Sequence, residues 1–400
     1  MTADDAYRFD LPEELIAQEP PAERGRSRLL VAERHGRVRG IVPFAGLCDL
    51  LRDGDLLVVN DSRVLPARLW ARRADTGGEI ELLLVRPDRG EAAAWEAMAR
   101  PARRLRPGQR LLVRDVRGGG AGAELIVHAR RESGEVLVGS ATGEDLGAVA
   151  ERLGVVPLPP YIRRDPEAAD FTEHDRRDRE RYQTVYARTD PQATRSVAAP
   201  TAGLHFAPRI LAALEARGVG IARVTLHVGP GTFQPPSDDQ LAAGRLHPEA
   251  FVMPAATVAA VARCRSAGGR VVAVGTTSLR VLETVAGLGL PADAPPGTRR
   301  RWDDRPQGDA VFWGEAIRED AGWHVRGTTR LFLRPPDVVT AADALVTNFH
   351  LPGSSLLMLV AAFGGEDLWR EAYREAVAAR LRFYSYGDAM LLLPGEGGAR

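Results

Sequence analysis

The sequence predicts an α/β fold: a main domain of alternating strands and helices, barrel-like or an open sheet, with a small β-barrel domain inserted in it. Three observations carry this. Short continuous apolar runs such as 55–60 (DLLVVN) and 343–349 (DALVTNF) read as buried strands, and they alternate with helical patterns such as 207–218. Residues 67–155 hold six short runs of partial alternation and no clear helical period. Gly-rich turns at 77–78, 118–120 and 134 separate those runs. The expected boundaries are therefore 1–66 and 156–400 for the α/β catalytic domain and 67–155 for the inserted barrel.

Taken in order, residues 1–66 open with a short helix-like segment. A strand and turn (RGRSRLLVAERHGRV) and an amphipathic helix ended by Gly54 follow, then the strand 55–60. After the six short strands, Asp165–Glu180 is so densely charged that it reads as mobile, and RYQTVYA (181–187) reads as a strand with two tyrosines on one face. From 196 the pattern is α/β. The segment 207–218 is a helix closed by Gly218, 219–228 a strand, 254–267 a helix, and 269–275 a strand running directly into the helix LRVLETVAGL. Residues 291–326, rich in Pro, Arg and Asp, show no readable period. DALVTNF is a strand, LLMLVAAFGG a helix, and RFYSYGDAMLLL an aromatic turn with a last strand.

Composition narrows the function. The chain has 400 residues, 44% hydrophobic and 26% charged, with 53 basic and 53 acidic side chains and no net charge. No global field draws it to nucleic acid or an anionic membrane, so any such contact needs a local patch. The densest basic run is 100–110 (RPARRLRPGQR), a candidate phosphate-contacting patch or a solvated hairpin edge. Every basic residue is Arg, which excludes a Lys Schiff base or a Lys general base. Cys48 and Cys264 have no paired spacing, so a disulfide framework or a zinc site is not expected, and a cytoplasmic location fits. The acidic N-terminus is not that of a signal peptide, and the longest apolar run, 356–363, is too short for a bilayer.

Polar and Gly-rich signals recur just after the carboxyl ends of the expected strands. They are 60–63 (NDSR), 200–206 (PTAGLHF), 229–233 (GPGTF), 275–278 (GTTS) and 350–355 (HLPGSS). Ligands bind at that edge in barrels and in open α/β sheets. The stretch Ser196–Phe206 holds no charged side chain in eleven residues, which suits neither a surface loop nor a core helix. His205, His227 and His350 lie in or beside these loops and could move a proton near neutral pH, or serve as structural histidines. No two of them stand at ligand spacing, so metal binding is not expected. Thr276 and Thr277 at a helix start either cap it or leave free N–H groups for a carboxylate or phosphate. Arg280, further along that helix, could clamp a carboxylate, and Asp61 and Arg63 could bind a polar ligand or each other. No P-loop, GxGxxG fingerprint or GxSxG elbow is present.

Together these stretches resemble the S-adenosylmethionine:tRNA ribosyltransferase-isomerase family of queuosine biosynthesis, the QueA family. The matching pieces include FDLPEELIAQEP (9–20), LLVVNDSRVLPARL (56–69), PLPPYI (157–162), SVAAPTAGLHF (196–206), VTLHVGPGTFQP (224–235), VVAVGTTSLRVLE (271–283), TNFHLP (347–352) and SYGDAML (385–391). They run in family order along nearly the whole chain. The resemblance implies an α/β domain interrupted by a β-barrel. It implies S-adenosylmethionine as co-substrate, no metal and no required protein partner. The acceptor would be tRNA, at the wobble 7-aminomethyl-7-deazaguanine of the anticodon loop; the ribosyl moiety would be transferred and isomerised onto it to give epoxyqueuosine, releasing adenine and methionine. On this reading His205 and His227 form the acid/base pair. Thr276, Thr277 and Arg280 hold the amino-acid end, Asp61, Arg63 and Asn348 hold the sugar or base, and Thr201, Gly203, Gly229, Thr232 and His350 complete the binding loops. Arg195, Pro230, Gly244 and residues 327–337 depart from the family pattern. A different amine acceptor, or a non-catalytic RNA-binding protein, are the alternatives.

Overall fold

The main unit grows from strands that the sequence writes as apolar runs. Arg28–Glu33 (β1) and Val38–Pro43 (β2) form an antiparallel hairpin, the short helix Leu47–Leu50 (α1) follows, and Leu56–Asn60 (β3) has all five side chains buried. Burial on both faces is why β3 reads as a continuous apolar run. The computed structural model describes residues 5–88, 94–118, 121–131, 134–190, 194–233, 235–302 and 310–395.

At Arg63 the chain enters a second unit. After the short strand Arg63–Val64 (β4), six strands close into an antiparallel barrel: Arg68–Arg73 (β5), Glu79–Pro87 (β6), Ala94–Arg100 (β7), Arg110–Arg114 (β8), Ala123–Arg130 (β9) and Val136–Ser140 (β10). Their order is β10-β7-β6-β5-β8-β9, so the six short runs of the sequence become six neighbouring staves. Alternate residues such as Leu69 and Ala71 or Ile80, Leu82 and Leu84 point inward. The helix Leu146–Leu153 (α2) adds Leu146, Val149, Ala150 and Leu153 to that core.

This unit comprises Arg63–Gln183 and Arg188–Ala199, a wider span than the barrel strands themselves. Part of the charged segment expected to be mobile forms the helix Phe171–Arg181 (α3) instead. Its acidic side chains are paired: Asp178 with Arg164 at 2.8 Å, and Asp175 with Arg117 at 3.3 Å and Arg179 at 2.9 Å. Phe171, its single buried apolar residue, meets Trp70 edge-to-face. RYQTVYA is likewise not a strand. It is the end of α3 and a turn, in which Tyr182 belongs to the second unit and Thr184–Ala187 to the main one. The strand Thr194–Ser196 (β11) then pairs in parallel with β4.

The main unit resumes at Pro200. Its elements are the helix Pro208–Ala216 (α4), the strand Gly220–Leu226 (β12), the helix Asp238–Ala243 (α5), the strand Arg245–Met253 (β13), the helix Ala255–Ser266 (α6) and the strand Val271–Val274 (β14). The helix Gly275–Ala286 (α7) follows, then Arg299–Trp302 (β15), Phe312–Arg318 (β16), Trp323–Leu331 (β17) and Ala344–Asn348 (β18). The helices Ser355–Gly364 (α8) and Glu366–Ala378 (α9) precede the last strand, Ala389–Leu393 (β19). The stretch 291–326 without a readable period thus contributes two complete strands and the start of a third. The barrel-like alternative for this domain does not occur: its sheet is open, eleven-stranded and mixed, in the order β15-β16-β17-β13-β12-β3-β14-β18-β19-β1-β2.

The strands β12, β3, β14 and β18 are neighbours and parallel. One face of the sheet, including Leu57, Val59, Val272, Val274 and Val346, packs on Phe44, Leu47 and on Ile210 and Leu214 of α4. Four adjacent parallel strands place their carboxyl ends, and the loops that follow, side by side.

A candidate active site at the carboxyl edge of the parallel strands

Asn60, the last residue of β3, ties three of these strand ends together. Its amide nitrogen donates to the Leu226 carbonyl at 3.1 Å and to Thr277 Oγ1 at 3.2 Å, and its oxygen accepts from the backbone N–H groups of Leu226 and Ser62. All four bonds of a buried amide are made, which fixes the edge rigidly. The next residue, Asp61, is buried and accepts from Thr225 Oγ1 at 2.6 Å. Burial, and then the charge of Asp61, push the Tyr186 phenol above its ordinary range, so it stays a hydrogen-bond donor.

The loop at 200–206 folds as a 3-10 turn, Thr201–His205. Thr201 opens it half-buried; Gly203 lies so near Tyr186 that a Cβ would stand 2.2 Å from the phenol oxygen. His205 is buried and bonded at both nitrogens. Asn348 Nδ2 donates to Tyr384 O at 2.9 Å, which orients the amide, and also meets His205 Nε2 at 3.1 Å. Nε2 is therefore the acceptor, and Nδ1–H donates to Ser27 Oγ at 2.8 Å. Burial brings the His205 pKa down to about 4, so the ring is neutral at pH 7. His350, at the end of β18, is also enclosed. Its Nε2 meets Thr347 Oγ1 at 2.7 Å, its backbone N–H donates to the Tyr373 hydroxyl, and burial lowers its pKa to about 3.

The third side of the edge is electrostatic. α7 starts at Gly275, whose φ of +87° turns the chain directly from strand to helix. Thr276 and Thr277 thus lie within its first turn rather than before it, and no side chain caps the helix. The whole first turn is buried, and Ser278 Oγ has no hydrogen-bond partner among the described residues. Further along, Arg280 is buried and donates from Nε to Leu331 O and from Nη1 to Glu249, while its Nη2 is left without a partner. The start of α7 thus carries donors left unused: an uncapped first turn, the Ser278 hydroxyl and one guanidinium nitrogen of Arg280. Glu249, on β13, also accepts from the Gly229 N–H at 3.0 Å and faces Thr232 Oγ1 at 3.5 Å, which anchors the loop 229–232 to the same ion pair. His227 starts that loop half-buried, its N–H donating to Ala250 O.

The structure therefore gathers Asp61, Thr201, Gly203, His205, His227, Gly229, Thr232, Thr276, Thr277, Arg280, Asn348 and His350 in the main unit. Arg63 is not among them: it opens β4 in the second unit and pairs with Glu151 at 3.2 Å. Sequence reasoning passed over Asn60, Glu249 and Tyr186 as site residues. Of the departing positions, Gly244 is the left-handed C-cap of α5 and Pro230 opens a 3-10 turn. Arg330 donates to Leu246 O across β13 and β17. Among the described residues no group of three or more His, Cys, Asp or Glu could hold a metal ion, and no helix is long and apolar enough to cross a membrane.

The family model described as queuosine biosynthesis protein matches residues 4–392. A protein of Anaeromyxobacter sp. (strain Fw109-5) named S-adenosylmethionine:tRNA ribosyltransferase-isomerase is 47% identical over 96% of this chain and 97% of its own. Proteins of the same name from Geobacter sulfurreducens (43% identical, 96% and 98% covered) and Azoarcus sp. (47%, 96% and 96%) match equally fully. The chain belongs to the queuosine biosynthesis protein family.

Proposed function

We propose that this chain catalyses the reaction for which its relatives are named. It transfers and isomerises the ribosyl moiety of S-adenosylmethionine onto tRNA, at the 7-aminomethyl-7-deazaguanine of the anticodon wobble position, and releases adenine and methionine. The observation that carries the reading is 43–47% identity, over nearly the full length, to proteins of that name.

The site fits the co-substrate. A carboxylate, such as that of the methionyl end, matches the uncapped start of α7 together with Ser278 Oγ and Arg280 Nη2. S-adenosylmethionine supplies a sulfonium that acidifies its 5′-carbon and makes the ribose transferable. The chain supplies the rest: a base near that carbon, a proton for departing adenine, and a dry wall. His205 is neutral and bonded on both sides, so it positions the Thr201–His205 turn through Ser27 and Asn348. That leaves His227 as the imidazole for proton transfer. Asp61 and the phenol of Tyr186 line the same edge as acceptor and donor.

The test is adenine release from S-adenosylmethionine, with tRNA carrying the aminomethyl-deazaguanine as acceptor. Adenine and methionine are expected in equal amounts, dependent on that tRNA. Release with the free deazaguanine amine but not with tRNA would replace the acceptor, and no release with either would leave a binding protein. Unchanged turnover after both His205→Ala and His227→Ala would remove the histidines from the chemistry.

A further inference from the structure

The second unit carries a cleft of about 470 Å³ that the reading above does not use. Its apolar lining includes Leu65, Pro87 and the margin of Trp95, a ring 7% exposed that otherwise belongs to the barrel core. Its carboxylates are already engaged: Glu151 pairs with Arg63, Asp88 with Arg131 at 2.8 Å, and Asp145 accepts the Ala148 N–H at the start of α2. Arg195, on β11, lines the same cleft and is exposed, its side chain making no hydrogen bond or ion pair to another described residue. Asp145 keeps its charge, so the lining as a whole is not cationic; Arg195 is its one guanidinium without a carboxylate partner, set in the same cleft as aromatic and aliphatic side chains. That combination suits a phosphate joined to a flat heterocycle, and the volume suits one nucleotide.

We propose that this cleft binds one nucleotide of the tRNA substrate, other than the one that reacts, with its phosphate on Arg195 and its base against Trp95. The proposal rests on the tRNA reading above. Chain connectivity favours RNA over a free nucleotide. Arg63 follows Asp61 by two residues, and Arg195 immediately precedes the uncharged stretch Ser196–Phe206. Both cations of the cleft are thus carried on segments that lead directly to or from loops of the candidate active site. A phosphate contact of this kind gives affinity and register without base specificity, while the wall accepts any base.

The experiment is binding of fluorescently labelled tRNA to the full chain over a range of salt, for wild type, Arg195→Ala and Arg195→Glu. Arg195→Ala should weaken binding about tenfold and lower the slope of log affinity against log salt by about one. Arg195→Glu should weaken it further, with S-adenosylmethionine binding and the melting curve unchanged. Binding of tRNA should quench tryptophan fluorescence, and the part due to Trp95 should vanish in Trp95→Phe, which keeps an apolar wall. Wild-type affinity and slope in both Arg195 variants would overturn the proposal and leave the tRNA reading standing. Failure of the wild type to bind tRNA would overturn both. Quenching of Trp95 by a nucleoside monophosphate, with tRNA binding indifferent to Arg195, would assign the cleft to a free nucleotide and overturn the RNA assignment.

Discussion

Glu249 and Arg280 hold opposite charges with side chains only 6% and 5% exposed. Removing one partner strands the other in a medium that solvates it poorly. Glu249→Ala should therefore destabilise the main unit by about 3–5 kcal/mol, read from its urea midpoint, and a loss under about 1 kcal/mol would contradict the pairing. His205 gives a pH dependence of known sign. Its folded pKa, about 4, lies below the unfolded value near 6.5, so below pH 6.5 the unfolded chain binds the proton and the folded chain does not. Stability present above pH 6.5 is lost as the pH falls toward 4, by about 2–3 kcal/mol between pH 6.5 and 4.5 for this residue. His205→Gln should flatten that part of the profile in denaturant titrations at each pH; an identical slope would show the ring to be protonated when folded. The loops at the strand ends, where the candidate site is placed, stood out because uncharged polar and Gly-rich stretches in those positions are uncommon. Glu249 did not, since a lone glutamate in a nine-residue strand carries no local mark of the arginine it meets 31 positions away. Tyr186 escaped for a similar reason: its neighbours in space, Asp61 and Gly203, are remote in sequence.

At the scale of elements, α3 shows where pattern reading fails. Periodicity finds helices that bury an apolar face. This one buries Phe171 together with two aspartates, and it is held by ion pairs to Arg117 and Arg164, with Asp175–Arg179 an internal pair. The charge that read as mobility is its attachment. Four arginines lie within it, at 176, 177, 179 and 181, so trypsin is a direct probe. The wild-type helix should resist cleavage, while Asp175→Asn with Asp178→Asn should be cut there at least tenfold faster at low salt. Equal rates would show that the pairs do not hold it. β15 and β16 were hidden for a related reason, since their polar faces carry Arg301, Glu315 and, from β17, Arg326 in cross-strand pairs rather than a clean alternation. The barrel strands were legible because each alternates into one closed core.

On the scale of the molecule, the two units have separate cores, one on the open sheet and one inside the barrel. Separate cores seldom melt as one. Calorimetry should resolve two transitions, and Glu249→Ala should lower only one of them; a single transition shifted as a whole would mean the units unfold together. The division into an α/β body and an inserted barrel was readable from the change of periodicity alone, whereas the short return of the chain at Thr184–Ala187 was not.

That return has a consequence for modularity. The polypeptide passes between units at 62/63, 183/184, 187/188 and 199/200. A barrel inserted as a cassette would need only two such seams and could be excised with a short linker. Here the excised segment would take with it Tyr186, whose ring sits on Phe206 and whose hydroxyl fills the space above Gly203. The remaining body would have a void the size of a tyrosine beside Phe206 and Gly203, so the barrel is not a cassette that a short linker could replace.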